Sequence, residues 1–334
     1  MKVAVIGGGA WGTALAQLCA ENKHRTRLWV YEAEVAAEIR EKRENQMYLP
    51  GIPLSAAIEP YPDMAEALDG AELVISVMPS HLTRKVLHAA APFIPHNAIL
   101  VTATKGIEDE SLLTMTGVIE EVAPSELHRR VVALSGPSFA REVALGVPTA
   151  VVAACRDIRV AEEVQYALSS DTFRIYSQTD VIGVELAGAV KNPMAIAVGV
   201  ADGMGLGLNT RAAIITRGLA EMARLGVRMG ANPMTFAGLA GLGDLVLTCT
   251  GDLSRNRQVG LKIGQGKTLK EALGEMKSVA EGVKNAATAF KLAQKMEVSM
   301  PIIEQIYLLL YAEKSPKMAV HDLMTRRLKS EIGL

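Results

Sequence analysis

The chain has 334 residues, a length at which a single hydrophobic core rarely serves the whole protein, so two domains are expected. Hydrophobic residues make up 49% and charged residues 21%, which is ordinary for a globular protein, whereas aromatic residues make up only 4%. The formal net charge of -1 gives no basic field for a polyanion, and few aromatic side chains are present for base stacking, so we expect no nucleic-acid partner.

Cysteine usage and hydropathy indicate a cytoplasmic protein. Cys19, Cys155 and Cys249 lie far apart and form no CxxC pair, which favours reduced thiols over a disulfide framework or a zinc site. The apolar run over residues 3–20 resembles a secretory signal, but three consecutive glycines interrupt it. No run reaches the roughly 18 apolar residues of a membrane helix, so we expect no integral membrane segment. The histidines show no metal-binding spacing, and we expect no metal.

The first half of the chain alternates short β-rich runs with helical stretches. Strands are predicted over residues 3–6, 26–30, 73–77, 99–102, 131–134 and 149–153, and helices over residues 10–20 and 82–91. Parallel neighbouring strands need long crossover connections, which these helices supply. The alternation therefore predicts βαβ units and a mainly parallel, Rossmann-type sheet.

After about residue 179 the strand-like runs vanish and helical spacing continues to the C-terminus, which predicts an all-helical domain. Turn signals at residues 191–193, 232–233 and 251–252 predict helix caps or interruptions there. No Pro- or Ser-rich linker separates the halves, so we expect a continuous helix near residue 190 to join them. The predicted domains are residues 1–190, which bind a dinucleotide, and residues 191–334, which bind the substrate, with the ligand cleft between them.

A glycine-rich turn follows the first predicted strand. Gly7, Gly9 and Gly12 occupy the three fixed places of G-x-G-x-x-G, with Ala10 and Trp11 between the last two. In this motif the first glycine permits a tight turn, the second lets a pyrophosphate approach the backbone, and the third lets helix and strand pack closely. The motif alone is a weak signal, but its position between a strand and a helix is the context that dinucleotide binding requires.

The choice between NAD and NADP depends on residues after the second strand. Glu32 lies 20 residues after Gly12, where an acidic side chain bonds the ribose hydroxyls of NAD. An alternative is that Glu32 is a solvated charge at the start of the next helix. Arg25 and Arg27 lie earlier in the strand. Cofactor choice stays open, with NAD favoured.

Six sequence blocks together resemble the bacterial NAD(P)-dependent glycerol-3-phosphate dehydrogenases. They are residues 7–15 (GGGAWGTAL), 104–106 (TKG), 135–140 (SGPSFA), 190–192 (VKN), 241–245 (GLGDL) and 254–256 (SRN). The resemblance covers essentially the whole chain. It implies reversible interconversion of sn-glycerol 3-phosphate and dihydroxyacetone phosphate, which feeds phospholipid synthesis. It also implies a C-terminal domain of the 6-phosphogluconate dehydrogenase type, and these enzymes are commonly homodimers.

The resemblance also assigns roles to individual residues. It makes Lys191 the proton acceptor and donor, with Lys105 and Asp244 beside it in catalysis. The substrate pocket would comprise Lys105, Gly136, Ser138, Lys191, Asn192, Asp244, Ser254, Arg255 and Asn256. The cofactor contacts would include Ala10, Trp11, Tyr31, Lys105, Ala140, Arg255, Val279 and Glu281. Tyr31 departs from the family, whose members often carry a basic residue there, and this departure puts a preference for NADP in doubt.

The chemistry of the lysines is consistent with these roles. Oxidation of a secondary alcohol requires a base for the hydroxyl proton, and a lysine serves only if burial or a neighbouring cation lowers its pKa. Lys191 follows the apolar run of residues 186–190, and Lys105 follows a strand at the edge of the sheet where ligands bind. Asp244 would orient the lysine or bond a substrate hydroxyl. The alternatives are a helix lysine that extends to solvent for Lys191 and an exposed loop lysine for Lys105.

The remaining polar segments are more ambiguous. Ser254, Arg255 and Asn256 supply a hydroxyl, a guanidinium and an amide before a helix, which suits a phosphate monoester, but a simple helix cap with surface arginines is equally consistent. For Ser138, the alternative is a plain turn without a binding role. For Glu281, the alternative is an exposed residue at the start of a helix. At the level of function, two alternatives are another β-hydroxyacid dehydrogenase, such as a ketopantoate enzyme, and a dinucleotide sensor without catalysis.

Overall fold

The computed structural model describes residues 1–276, 280–328 and 330–331. An eight-stranded sheet occupies the N-terminal half. Its strands are β1 (Lys2–Ile6), β2 (Arg25–Trp29), β3 (Ile58–Tyr61), β4 (Leu73–Ser76), β5 (Ile99–Thr102), β6 (Val131–Ser135), β7 (Thr149–Ala154) and β8 (Phe173–Gln178). All six strands predicted from the sequence are present. β3 and β8 were not predicted. Pro60 argues against a strand at β3, whereas the apolar–polar alternation at the start of β8 is a strand signal that the sequence analysis missed.

The strand order is β3-β2-β1-β4-β5-β6-β7-β8, and neighbours are parallel except β6 and β7. The mainly parallel sheet predicted from the sequence is therefore confirmed. The chain leaves β1 in one direction through β2 and β3, then returns to place β4 on the other side of β1. In open sheets of this kind, ligands bind at the carboxyl ends of the strands where the order reverses. That point lies between β1 and β4, directly after Ile6.

Helices cover both faces of the sheet and form the C-terminal half. They are α1 (Ala10–Glu21), α2 (Ala33–Lys42), α3 (Met64–Leu68), α4 (Thr83–Ala90), α5 (Met115–Val122), α6 (Ala140–Ala144), α7 (Ile158–Leu168), α8 (Val181–Gly203), α9 (Gly207–Arg228), α10 (Pro233–Ala237), α11 (Asp244–Thr250), α12 (Arg255–Gly264), α13 (Leu269–Gly274), α14 (Glu281–Lys295), α15 (Pro301–Tyr311) and α16 (Pro316–Met324). A π-helical turn, Leu239–Gly243, leads directly into α11. In the described part of the chain no strand follows β8, as the sequence predicted.

The long helix α8 joins the two halves, and the expected domain division at residue 190 lies inside it. It begins where the carboxylate of Asp180 accepts a hydrogen bond of 2.9 Å from the Gly183 N–H. The sequence predicted a cap or interruption at residues 191–193, which is wrong, because α8 continues through Pro193. By contrast, Asn232 caps α10 and Gly251 ends α11, as predicted.

Three large hydrophobic clusters contain most of the buried apolar residues in the described part of the chain. Two of them lie on opposite faces of the sheet, under α1 and α7 on one side and α4 and α5 on the other. The third lies inside the helical half around α8. By length and composition α8 is apolar enough to cross a membrane, but 94% of its most apolar window is buried in the protein. Its apolar character is explained by core packing.

Candidate active site

The turn after β1 depends on glycine at two positions. Gly7 has φ +122, and a Cβ there would lie 1.9 Å from the carbonyl oxygen of Val77, which follows β4. A Cβ on Gly12 would lie 1.9 Å from the carbonyl oxygen of Gly7. Real Cβ atoms do not approach this closely, so side chains are excluded at both positions. The turn therefore brings the start of α1 close to the carboxyl ends of β1 and β4.

Gly9 differs from these two glycines because its surroundings are open. No atom lies within 4 Å of a Cβ built on it, and it occupies the N-cap of α1. The first N–H groups of the helix and its positive dipole end therefore face open space. Nearby, the indole Nε1 of Trp11 is buried with no hydrogen-bond partner among the described residues. Ala140, at the start of α6, packs against the same cluster as Ala10 and Trp11. This arrangement fits the phosphates of a dinucleotide.

Asn45, which the sequence analysis missed, holds the glycine turn in place. Its buried Nδ2 donates hydrogen bonds of 2.8 Å to the Gly8 carbonyl and to Oγ1 of Thr13. Its Oδ1 accepts from the backbone N–H of Tyr48. The segment around residues 45–48 has no sequence motif, and the partners of Asn45 in the glycine turn lie more than 30 residues away, so only the fold reveals this role.

Tyr48 also connects this segment to the residues that follow β2. Its hydroxyl donates a hydrogen bond of 2.8 Å to a carboxylate oxygen of Glu32. Glu32 occupies the N-cap position of α2, but its side chain caps no helix N–H. Tyr31 is 79% exposed, and Arg27 points away to the carbonyls of Glu66 and Asp69. An acidic side chain and an exposed aromatic ring therefore lie at the end of β2 beside the glycine turn.

The two predicted lysines meet on one carboxylate. Asp244, the first residue of α11, is 1% exposed. Its Oδ1 accepts from the ammonium of Lys191, on α8, and its Oδ2 accepts a bond of 2.8 Å from Lys105, which follows β5. Lys191 is itself only 6% exposed, so the alternative of a helix lysine reaching solvent is wrong. This lysine pair links the sheet half to the helical half.

Burial and charge act against each other on Lys191. Burial, together with the positive charge of Lys105, lowers the pKa of Lys191 to about 8, although the carboxylate of Asp244 opposes the shift. Thr248, which the sequence analysis missed, accepts a second bond of 2.6 Å from the Lys191 ammonium. Thr248 lies four residues after Asp244 on the same helix face, and that spacing is a signal that the sequence did contain.

The candidate phosphate-binding residues lie at the start of α12. Ser254 is the N-cap and accepts from the Arg257 N–H at 3.3 Å, so the helix-cap interpretation is correct for its hydroxyl in this structure. Arg257 pairs with Asp202 and Asp252. Arg255 is exposed and has no ion pair in the described residues. Of the two arginines, Arg255 is therefore the one available to an anion.

A chain of buried amides lies behind this helix start. Nδ2 of Asn256 donates to Oδ1 of Asn192 at 2.9 Å, and Oδ1 of Asn256 accepts from the Gly282 N–H at 2.9 Å. Asn192 directly follows Lys191 on α8. The chain thus ties α8, α12 and α14 together beside the lysine pair.

The other predicted residues border the same region, with one exception. Gly136, with φ +142, follows β6, and its carbonyl accepts from Lys105 at 2.8 Å and from the Ser138 hydroxyl at 3.0 Å. Glu281 begins α14, and its carboxylate accepts from the Ser80 N–H at 3.1 Å, so it is not the exposed helix start that the alternative required. Burial raises the pKa of Glu281 to about 7. Val279 lies outside the described residues.

A glycine turn at the reversal point of a mainly parallel sheet, together with two lysines on one buried carboxylate, is typical of a dinucleotide-dependent dehydrogenase. The comparisons with known proteins agree. Two family models match this chain. The NAD-dependent glycerol-3-phosphate dehydrogenase N-terminus matches residues 2–161, and the C-terminus of the same family matches residues 180–321. The chain belongs to this family, as its sequence motifs indicated.

Individual relatives match over nearly the full length of both chains. The glycerol-3-phosphate dehydrogenase [NAD(P)+] of Citrifermentans bemidjiense is 58% identical, over 99% of this chain and 98% of its own. That of Syntrophobacter fumaroxidans is 53% identical with the same coverage. The crystal structure of glycerol-3-phosphate dehydrogenase from Coxiella burnetii, 40% identical, covers 97% of this chain and 99% of its own with a TM-score of 0.92.

Proposed function

We propose that this chain interconverts sn-glycerol 3-phosphate and dihydroxyacetone phosphate with NAD(H) or NADP(H), and that Lys191 exchanges the proton of the substrate hydroxyl. Membership of the family supports the reaction. The observation that carries the role of Lys191 is its burial beside Lys105 on the shared carboxylate of Asp244. An amine in this setting has the lowered pKa that proton transfer near neutral pH requires.

The residues around the glycine turn fit the cofactor. The open surroundings of Gly9 leave room for a pyrophosphate against the backbone, and the helix start behind it offers N–H donors. When bound, the nicotinamide accepts or gives the hydride. Ala10 and Trp11 follow Gly9, and Ala140 packs against the same hydrophobic cluster. These three residues and Glu281 are proposed to contact the cofactor.

In the oxidative direction, the neutral amine of Lys191 accepts the proton of the substrate hydroxyl as hydride leaves the carbon that bears this hydroxyl. Asp244 and Thr248 fix the position of the nitrogen, because both are bonded to it and are themselves buried. Lys105, on the other oxygen of the same carboxylate, is proposed to hold the substrate oxygen by its charge. In the reductive direction the ammonium of Lys191 returns the proton to the forming alkoxide.

Substrate phosphate is proposed to bind at the start of α12. Arg255 supplies a guanidinium that is free of ion pairs in the described part of the protein, and a helix N-terminus adds N–H donors. Ser138, Ser254, Asn192 and Asn256 line the path from this position to Lys191 in the proposal. Asn256 would contribute its second amide hydrogen, since the first is bonded to Asn192.

We further propose that the enzyme prefers NAD. The carboxylate of Glu32 accepts a hydrogen bond from Tyr48 and lies just after β2. In dinucleotide-binding folds, the adenine ribose binds at this position. A second phosphate on that ribose would meet this negative charge. Tyr31 provides no cation to offset it, and Arg27 bonds carbonyl oxygens of residues 66 and 69 on another side.

The broader setting is part of the same proposal. Glycerol 3-phosphate is the precursor of phospholipid synthesis, which would be the purpose of the reductive direction. The three cysteines are buried and unpaired, which suits the reducing cytoplasm. A homodimer, and a division into a cofactor domain of residues 1–190 and a substrate domain of residues 191–334, are carried over from the sequence as proposals.

The test is the absorbance of NADH, and separately of NADPH, as dihydroxyacetone phosphate is added to the parent and to Lys191→Met. The parent should consume both cofactors, NADH faster. Lys191→Met should lose about 10²–10⁴-fold in kcat while it still binds NADH. Lys295→Met, which removes an exposed lysine, is the matched control and should resemble the parent.

The pH dependence of the two reaction directions tests which protonation state of Lys191 each direction requires. Below a pH of about 8 Lys191 is mostly protonated, so oxidation should slow as the pH falls while reduction is retained. Above that pH the reverse is expected. Parent-like turnover in Lys191→Met would remove this residue from the mechanism. Bound cofactor without turnover in the parent would contradict the proposed reaction itself.

A further inference from the structure

Asn285 is a buried amide that touches the backbone of both catalytic segments. It lies on α14 and is 1% exposed. Its Nδ2 donates two hydrogen bonds of 3.2 Å, one to the carbonyl of Lys105 and one to the carbonyl of Ala189, two residues before Lys191. Its Oδ1 is buried with no partner in the part of the chain that the structure describes. Both amide hydrogens are therefore used on the two lysine segments.

The carbonyl of Ala189 is available because of Pro193. In an α-helix this carbonyl would accept from the N–H of the residue four positions later, and proline has no N–H. A buried carbonyl without a donor is costly, so the hydrogen bond from Asn285 replaces the missing one. The proline within α8 thus creates an acceptor that points to α14 instead of along its own helix.

The backbone after Lys105 also packs closely against Asn285 and against the segment after β4. The next residue, Gly106, approaches so tightly that a Cβ on it would lie 2.3 Å from the Cβ of Ser80 and 3.4 Å from Oδ1 of Asn285. The backbone on either side of Lys105 is therefore held against α14 and the segment after β4. Asp244 joins the two lysines at their ammonium ends, and Asn285 joins them at their backbones.

We propose that Asn285 is a positioning residue that fixes the separation of Lys105 and Lys191, through the acceptor that Pro193 leaves free. The inference rests on the proposed function, because it assumes that both lysines act on the substrate. Without Asn285, only the carboxylate of Asp244 links the two lysines, so the loop that carries Lys105 can shift away from α8 and take the Lys105 ammonium farther from Lys191.

The consequence for Lys191 has a definite sign. The charged or titratable groups that face it are Asp244 and Cys249 on α11, Lys105 after β5 and Glu281 on α14. Lys105 lowers the pKa of Lys191 by its like charge. When Lys105 moves away, the ammonium form of Lys191 becomes more stable, so oxidation requires a higher pH.

The test compares Asn285→Leu with the double variant Asn285→Leu/Pro193→Ala. Leucine has the same branched shape and number of heavy atoms as asparagine and carries no charge, so it removes both hydrogen bonds without adding a charge beside the lysines. Asn285→Leu should lose about 10-fold or more in kcat, and the acidic limb of glycerol 3-phosphate oxidation should move up by roughly half a pH unit or more. Its melting temperature should also fall, because two buried carbonyls lose their donor.

Pro193→Ala separates the two effects. Alanine at position 193 returns a backbone N–H to the Ala189 carbonyl, so the double variant should recover part of the melting temperature. The Lys105 carbonyl still lacks its donor, so kcat and the pH shift should stay as in Asn285→Leu. If Asn285→Leu does not fold, the stabilised double variant carries the measurement.

Thr288→Val is the matched control, because Thr288 is buried on the same helix and its hydroxyl, among the described residues, bonds only carbonyls of α14. It should keep the parent kcat and pH profile. The proposal is overturned if the pH limb of both Asn285 variants matches the parent, or if Pro193→Ala restores kcat and pH dependence together with stability. Active Lys191→Met would instead overturn the proposed function, so the two failures are distinguishable.

Discussion

The glycine turn and the lysine pair are built in opposite ways. The turn comes from one short segment, and its shape is dictated by backbone contacts that exclude a Cβ at Gly7 and Gly12. The lysine pair comes from residues far apart in the chain, since Asp244 lies 139 positions from Lys105 and 53 from Lys191. Substitutions in the turn should therefore impair cofactor binding or local folding. Substitutions in the lysine pair should instead impair proton transfer to or from the substrate and the contact between the two halves.

Among the variants that test this contrast, the largest effect is expected for Asp244→Asn, which removes the carboxylate between the buried ammonium of Lys191 and the partly buried ammonium of Lys105. We expect a loss of about 10²–10³-fold in kcat and of about 3–5 kcal/mol in the free energy of unfolding, since an uncompensated buried charge remains. Initial rates with dihydroxyacetone phosphate and urea unfolding measure the two quantities. Asp252→Asn, at an exposed ion pair, is the control and should change neither. A stability loss with parent kcat would make the carboxylate merely structural.

A smaller effect, confined to the turn, is expected from a pair of alanine substitutions. Gly7→Ala should cost about 3 kcal/mol in the free energy of unfolding, because its φ of +122 and the contact with Val77 both exclude a side chain. Gly9→Ala should unfold like the parent, since its Cβ enters open space, but should bind NADH on the order of 10-fold more weakly.

Denaturant unfolding and quenching of tryptophan fluorescence by NADH report the two properties for both glycine variants. Equal stability losses would show that Gly9 also has a steric role in the fold. Unchanged NADH affinity in Gly9→Ala would mean that the pyrophosphate does not approach the backbone at this residue.

The smallest effect concerns cofactor choice. Glu32→Ala should change the ratio of kcat/KM for NADH to that for NADPH by about 10-fold in favour of NADPH. Tyr48→Phe, which only frees the carboxylate, should change it by about 2-fold. Glu34→Ala removes an exposed acidic residue from the same helix and should leave the ratio unchanged. If Glu32→Ala and Glu34→Ala behave alike, the preference depends on net charge and not on the position of Glu32.

The fold was largely predictable because its signals are local. Apolar β-rich runs gave six of the strands, and the glycine spacing gave the turn and the start of α1. The failures have physical reasons. Pro60 hid β3, and Pro193 suggested a break in α8 where a side chain from another helix supplies the missing hydrogen bond.

The site was predictable only in part. Lys105, Lys191 and Asp244 were found through family motifs, and no spacing in the sequence indicated that they converge. Thr248 lies four residues after Asp244, and Asn285 lies four residues after Glu281, so helical spacing could have placed each pair on one helix face. Neither pair forms a sequence motif. The importance of Thr248 and Asn285 follows from partners 57 and 180 residues away, which only the folded chain brings near.

Helix α8 also has a consequence for the order in which the protein folds during synthesis. Val181 and Val184, in its first two turns, pack with Ala133 on β6 and with Val152 and Ala154 on β7. The sheet therefore keeps an uncovered apolar face until the ribosome has released residues beyond 184. The rest of α8 is the centre of the helical core. One helix thus covers part of the sheet and also forms the centre of the C-terminal core, so the two halves share this element.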